Sequence, residues 1–356
     1  MTDGAEQREA GGPDAASGGR VLLGHGSGGK LYRDLIKDVF VRTFANPILA
    51  RLDDAATLAP SGRIAFTTDS HVVQPLRFAG GDIGRLSVAG TVNDLATAAA
   101  RPLALAAAFV IEEGFAMDDL RAVCASMAAT AREADVPIVT GDTKVVERGA
   151  ADGLFITTTG VGEIVVAHEL GAVAVRDGDA VILSGSIGDH AVAILAARGE
   201  FHFSAAVESD CAPLWDVVAA ALAGARAAGG EEAIRFLRDP TRGGLTTVLA
   251  ELAEESGLGI EVEEDAILVS PAVRSVCDLL GYDPLTLANE GKMVIVAAPE
   301  AADAVVAAVR ETEHGREARR IGFVTAAHPG RVALRTEFGT RRVLDMPVGE
   351  LLPRIC

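Results

Sequence analysis

The run Val136-Pro137-Ile138-Val139-Thr140-Gly141-Asp142-Thr143-Lys144 decides how the first half of the chain is read. Residues 136–140 are apolar or β-branched and too few for a helix, so they suit a short buried strand. That strand runs straight into a glycine that permits a tight turn. An aspartate that can ligate a metal follows, with a lysine that can neutralise a phosphate or, if desolvated, act as a base. A solvated strand-to-turn junction explains the same residues equally well. On the N-terminal side, residues 118–134 have helical spacing, 104–112 form a long apolar strand, 84–100 a helix carrying Asn93 and Asp94, and 64–68 a strand ending at Asp69. On the C-terminal side, 153–166 is rich in Thr, Ile and Val and suits another strand.

A turn-rich patch, Arg176-Asp177-Gly178-Asp179, marks a domain boundary, after which the alternation resumes. Strands are expected at 180–184 and 292–298, a glycine turn at 185–188, and helices at 189–198, 211–228, 245–256 and 301–310. The chain thus reads as a disordered polar tail over 1–19, an N-terminal domain over 20–170, a C-terminal α/β domain over 171–331 and a tail over 332–356. In that last segment 335–344 suits a strand pair, and Pro347, Gly349 and Pro353 disfavour helix before Cys356.

A length of 356 residues accommodates two ordinary cores, and 49% hydrophobic with 23% charged residues is a globular balance. The formal net charge of −18 repels phosphate backbones and anionic lipid, which argues against nucleic acid and membrane as partners. The longest apolar stretch, 95–111, is interrupted by Arg101 and Pro102 and is a poor membrane span. No targeting segment is read at the N-terminus. Cys124, Cys211, Cys277 and Cys356 are scattered without a CxxC pair, as expected of a reducing, cytoplasmic setting with neither a disulfide framework nor a zinc site.

Several constellations carry chemistry. Gly24-His25-Gly26-Ser27-Gly28-Gly29-Lys30 nearly matches a P-loop, but Leu31 stands where a hydroxyl would hold Mg²⁺. Two readings remain, a loop whose N–H groups cradle phosphates in another fold, and a glycine linker. Asp53-Asp54, Asp69, Asp94 and Asp142 lie at strand ends and helix starts, where hard oxygen ligands for Mg²⁺ and ordinary caps both occur. Asp239-Pro240-Thr241-Arg242-Gly243-Gly244 opens a helix, either as an anion site or as a plain cap. Asn289-Glu290-Gly291-Lys292 precedes a strand and offers a carboxylate for proton transfer. Cys356 is an exposed free thiol unless the tail reaches a nucleotide, where it becomes a chemical handle. Cys124, Cys211 and Cys277 read as core residues. His25, His71 and His190 show no metal-ligand spacing and read as ordinary.

Taken in order, His25-Gly26-Ser27-Gly28-Gly29, Asp53-Asp54-Ala55, Thr67-Thr68-Asp69-Ser70, Gly90-Thr91-Val92-Asn93-Asp94-Leu95, Gly141-Asp142-Thr143-Lys144-Val145, Asp239-Pro240-Thr241-Arg242-Gly243-Gly244, Asn289-Glu290-Gly291-Lys292 and Pro353-Arg354-Ile355-Cys356 resemble the HypE family of hydrogenase maturation proteins. That family lies within the aminoimidazole ribonucleotide synthetase and selenophosphate synthetase superfamily. The resemblance runs from about Val21 to the C-terminus. It implies a two-domain α+β and α/β fold whose N-terminal sheets pair into a homodimer barrel. It also implies a lyase reaction, the ATP-dependent dehydration of a carbamoyl group on Cys356 to a thiocyanate. The carbamoyltransferase HypF loads the thiol, and a HypC–HypD complex receives the cyanide. ATP would lie on Gly26, Ser27, Gly28, Gly29, Asp54, Asn93, Gly141 and Thr143, with Mg²⁺ on Asp69, Asp94 and Asp142. Cys356, Lys144 and Glu290 would be catalytic, the last two as base and electrostatic helper in either order.

Rival readings are set against this one. A selenophosphate synthetase would carry a reactive cysteine near the glycine loop, and no cysteine precedes Cys124. A nucleotide-binding scaffold would tolerate Cys356→Ser. A redox protein would need a resolving cysteine.

Overall fold

The computed structural model of the protein describes residues 19–27, 29–52, 55–199, 207–347, 352 and 354–356. The expected tail over 1–19 thus lies almost wholly outside the described residues. The N-terminal domain opens with a continuous helical run, α1 (Lys30–Leu35), a π turn (Ile36–Val41) and α2 (Arg42–Phe44). Then come β1 (Ile64–His71), the short pair β2 (Arg77–Phe78) and β3 (Gly81–Asp82), α3 (Ile83–Thr97), β4 (Ala100–Glu112), α4 (Met117–Glu133), β5 (Ile138–Val146) and β6 (Leu154–Ile164).

Four of these strands form one sheet in the order β1-β6-β4-β5, with β4 and β5 parallel and the other neighbours antiparallel. Helix α3 begins where the Asp82 carboxylate accepts the Arg85 N–H, a cap contributing about 1 kcal/mol. It is buried nearly all round, because one side lies on the sheet and the other meets the second domain. Gly160 of β6 permits that approach, since a Cβ there would meet Thr91 Cγ2 at 2.7 Å. The other face of the sheet is open. Ile64, Phe66, Thr68, Ser70, Val110, Asp142 and Lys144 are all exposed there, Phe66 to 70%.

The C-terminal domain holds β7 (Ala180–Leu183), α5 (Asp189–Ala197), α6 (Trp215–Ala227), β8 (Ile234–Arg238), α7 (Gly244–Ser256), β9 (Gly259–Glu263), α8 (Pro271–Leu280), β10 (Val294–Ala297), α9 (Ala302–Arg310), β11 (Arg319–Thr325), β12 (Val332–Arg335) and β13 (Arg341–Leu344). Its sheet runs β13-β12-β9-β11-β7-β10-β8 and is antiparallel except between β12 and β9. The unbroken apolar runs of β7 and β10 are fully buried, as strands covered on both faces require. One core packs them against α6 and α9, the other against α7. Among the described residues no helix is long and apolar enough to cross a membrane.

Three expectations change. The strand after Val136 does not turn at Gly141 but continues to Val146, paired with β4. Gly141 is needed for a close approach, since a Cβ there would meet the Ala107 carbonyl oxygen at 2.2 Å. The segment after 331 is not all tail, because β12 and β13 extend the second sheet and bury Val332, Leu334 and Leu344. The chain end is docked: Val72 N–H donates to the Cys356 carbonyl at 3.1 Å and Gln74 N–H to that of Arg354 at 3.2 Å. Residues 348–351 and 353 lie outside the described residues.

Candidate active site

The residues singled out in the sequence fall into two groups. The first sits where the two domains meet. Asp69 and His71 come from the end of β1, and their Oδ2 and Nε2 atoms are 3.3 Å apart. Gly90 makes room for them, since a Cβ there would lie 3.2 Å from His71 Nε2 and 3.3 Å from Asp69 Oδ2. Asp94 projects from α3 and accepts the Thr67 hydroxyl at 2.8 Å. Burial, with Asp69 nearby, raises its pKa even against that hydrogen bond.

The second domain contributes two loops. Asp239 follows β8, and desolvation together with Asp94 pushes its carboxyl up to about 7. Glu290 is almost fully buried, and burial with Asp239, Asp210 and Asp69 around it holds its pKa well above the usual carboxylate range. The neighbouring Arg242 guanidinium only partly offsets this. Asn289 ties these loops together, accepting the Gly188 N–H at 2.7 Å and donating to the carbonyls of Pro240 and Leu287 at 2.9 and 3.0 Å. Gly291 is obligatory, since a Cβ there would lie 1.7 Å from the Asp210 carbonyl oxygen. Lys292 pairs with the buried Asp210 at 3.1 Å.

Cys356 closes the group. It borders a cavity of about 380 Å³ shared with Val72, Arg242, Gly243 and Leu287. Desolvation and then Glu290 push its thiol up to about 12, so the docked sulfur is protonated at neutral pH. Arg354 anchors the tail on the first domain, donating to the Val72 carbonyl at 2.9 Å and to Asp152 at 2.5 Å. The thiols of Cys124, Cys211 and Cys277 are buried core groups.

The second group lies on the far edge of the first sheet. Asp142 and Lys144 on β5 form an exposed ion pair at 2.8 Å, which lowers the acid's pKa and raises the lysine's. The turn holding Gly26 and Ser27 lies against them. A Cβ at Gly26 would sit 2.9 Å from Val145 Cβ, and Ser27 Oγ donates back to the Gly24 carbonyl. Gly29, Gly141 and Thr143 line a cavity of about 970 Å³ beneath the helical run, with Lys30, Arg33 and Lys37. Gly28, Asp53 and Asp54 lie outside the described residues.

The expected convergence of Asp69, Asp94 and Asp142 therefore does not occur within one chain. β1 and β5 are opposite edges of the sheet, three strand spacings or about 14 Å apart. Register also separates the faces. Asp69 pairs with Thr158, Thr158 with Ala107 and Ala107 with Gly141, so Asp142, one residue on, points to the open face. Among the described residues no three His, Cys, Asp or Glu are placed to hold a metal ion together. Asn93 is likewise spoken for. Its amide donates to the carbonyls of Ala212 and Glu290 and accepts the Leu214 N–H, which makes it an interdomain tie with both N–H donors already used. His71 and His190, read as ordinary, both reach the first group. Nothing local in the sequence signals this, since the partner of His190 is 165 residues away.

The open four-stranded sheet domain and the seven-stranded sheet domain that enclose this acidic cleft correspond to the two domains of the AIR synthase related proteins. The N-terminal domain pattern of that family matches residues 52–164 and the C-terminal domain pattern residues 176–335. The carbamoyl dehydratase HypE of Cupriavidus necator is 52% identical over 340 residues, 95% of each chain, and that of Escherichia coli K12 is 46% identical, over 94% of this chain and 99% of the relative. A crystal structure of hydrogenase maturation protein HypE in complex with ATP superimposes with a TM-score of 0.89 at 49% identity, covering 94% of this chain and 99% of that one. The chain belongs to the HypE family. A chain of a solved HypE–HypF complex is also similar, with a TM-score of 0.76 at 44% identity, over 88% of this chain and 99% of that one.

Proposed function

We propose that the chain is an ATP-dependent carbamoyl dehydratase acting on its own Cys356 in the maturation of nickel–iron hydrogenase. The observation that carries the reading is the seat of the Cys356 thiol in the interdomain cleft beside the buried Glu290. HypF loads the carbamoyl group, and the similarity to a HypE–HypF complex supports that partnership. The docked thiol, protonated and only partly exposed, is a poor nucleophile, so loading takes place with the tail outside the cleft. A HypC–HypD complex then accepts the cyanide.

With the tail docked, the carbonyl oxygen of S-carbamoyl-Cys356 attacks the γ-phosphorus of ATP, and ADP leaves. One nitrogen proton is lost as the C=N bond forms. Loss of the second, with departure of the phosphate, leaves the thiocyanate, and the elements of water end in the phosphate. Glu290 is the residue that takes these protons. It is near enough to the thiol of the same chain to raise that group's pKa, and its own raised pKa makes its ionised form a stronger base than a solvated carboxylate. Lys144 is held charged by Asp142 and so serves as the electrostatic helper at the phosphates. Mg²⁺ fits Asp69 and Asp94, two hard carboxylates whose mutual repulsion a cation relieves; bound with the nucleotide, it supplies neutralisation of phosphate charge.

The glycine turn, Lys144 and the cavity beneath α1 make the nucleotide half of the site, and the cleft makes the thiol half. A homodimer through the open face of the first sheet, which Phe66 and Val110 leave apolar, brings the nucleotide half of one chain to the thiol half of the other. The test is the mass of the C-terminal peptide after incubation with HypF, carbamoyl phosphate and MgATP. A carbamoyl adduct on Cys356 that loses one water only with hydrolysable ATP is expected. An adduct that never loses water, with HypF shown active, would refute the dehydratase. Cys356→Ser should carry no adduct while still binding ATP.

A further inference from the structure

The main-chain oxygens of the last three residues are divided between the two domains. Those of Arg354 and Cys356 accept from Gln74 and Val72 of the first domain, and the Arg354 carbonyl also accepts from Arg198 at 3.1 Å. The carbonyl between them, that of Ile355, faces the second domain. There it meets Nε2 of His190, the second residue of α5, at 2.8 Å. The ring is fully buried and packs edge-on to Phe78, with centroids 5.5 Å apart. Its other nitrogen, Nδ1, is 2.8 Å from Ser209 Oγ.

The protons along this chain are determined by its ends. A carbonyl oxygen only accepts, so His190 Nε2 carries the hydrogen and Nδ1 accepts. Ser209 Oγ already accepts the Cys211 N–H at 3.0 Å, which leaves its own hydroxyl hydrogen for Nδ1. Burial favours the neutral ring that this arrangement needs. Both nitrogens of His190 are thus engaged, one by Ser209 and one by the tail, so what the ring contributes to the chemistry runs through the tail.

We infer that His190 is a positioning residue, the second domain's half of a clamp on the C-terminal tail. Its Nε2–H seats Ile355 and thereby aims the group on Cys356 at Glu290, while Ser209 sets the tautomer. This rests on the reading that the docked tail is the reacting state. The clamp itself can be measured without catalysis.

The measurement is alkylation of the full-length protein by iodoacetamide, read cysteine by cysteine by mass spectrometry. Cys356 is partly exposed in the docked tail, whereas Cys124, Cys211 and Cys277 are buried. His190→Leu should raise the Cys356 rate about tenfold, the order expected for loss of one buried hydrogen bond, with the other three cysteines still protected. His190→Gln, whose amide also presents an N–H, should restore slow labelling. In the carbamoylated protein, His190→Leu should lower the single-turnover rate of water loss about tenfold with the ATP requirement for half-saturation unchanged. An unchanged Cys356 rate in His190→Leu overturns the clamp, even if the wild-type protein is a dehydratase. Slow, clamp-dependent labelling with no dehydration in the wild type would instead overturn the catalytic reading. Should His190→Leu expose all four cysteines, Ser209→Ala decides. It keeps the ring and removes the donor to Nδ1, so Cys356 labelling alone must rise, and equal labelling to wild type overturns the clamp.

Discussion

The acid at position 290 shows how little a residue's type says until its surroundings are known. Glu290 in a turn before a strand is an ordinary polar residue by sequence. In the fold it is enclosed with three other carboxylates nearby and one partly compensating arginine, and its charge reaches the thiol of Cys356. Glu290→Gln keeps the shape and removes the proton acceptor. Dehydration of the pre-carbamoylated protein should then slow by about 10²–10⁴-fold with carbamoyl loading intact, followed as a single turnover by mass. A rate within a few-fold of wild type would assign the base elsewhere. Lys144, the other residue named from sequence for this role, differs in a way only the sheet order reveals, since it stands on the far strand and the open face.

At the scale of the element, α3 does two jobs that its sequence states only in part. Small residues let it lie against the first sheet, as Gly90 beside Asp69 and His71 shows, and this was legible as a helix carrying Asn93 and Asp94. Its other side was not legible. Asn93 spends its amide on the backbone of the second domain at Ala212, Leu214 and Glu290. Asn93→Ala would leave those buried groups unpaired, at a cost of about 2–4 kcal/mol, and would loosen the Glu290 turn. Urea unfolding should show the lower midpoint. ATP binding should persist, because Asn93 is a tie and not a ligand; loss of ATP binding at full stability would reverse that assignment. The missed strands β8, β9 and β11 differ from β7 and β10 in having charged residues among their apolar ones, so no unbroken apolar run marks them off from loop.

At the scale of the molecule, two consequences follow from where charge and surface lie. Asp94, Asp239 and Glu290 all have folded-state pKa values above their unfolded ones. These three carboxyls therefore hold more protons in the folded protein than in the unfolded chain from about pH 4 up to about pH 7 or beyond, and their contribution to stability falls as pH rises through that window, while the lowered pKa values of buried His71 and His190 contribute in the opposite sense. Measured by urea midpoints of nucleotide- and metal-free protein between about pH 5 and pH 8, Asp239→Asn should gain stability relative to wild type as pH rises, because it lacks the carboxyl that must ionise; a difference that does not change with pH would contradict the buried cluster. The second consequence concerns the proposed dimer. Chains carrying Lys144→Ala and chains carrying Cys356→Ala should each be inactive. After random mixing they should recover about a quarter of wild-type activity, because half the dimers are mixed and each mixed dimer owns one intact site. Verified mixed dimers without activity would place both halves of the site in one chain.

The sequence by itself determined the two-domain α and β organisation, the membership of the family and the short motifs from which the site is built. Those features depend on local periodicity, glycine punctuation and the order of motifs, all of which are written along the chain. Only the tertiary structure decided which motifs meet. It divided Asp69 from Asp142 by three strand spacings and a face of the sheet, withdrew Asn93 into a tie between domains, folded 332–344 into the second sheet and docked the chain end between His190 and Val72. These outcomes depend on strand order, register and contacts across hundreds of residues, and no local pattern encodes them.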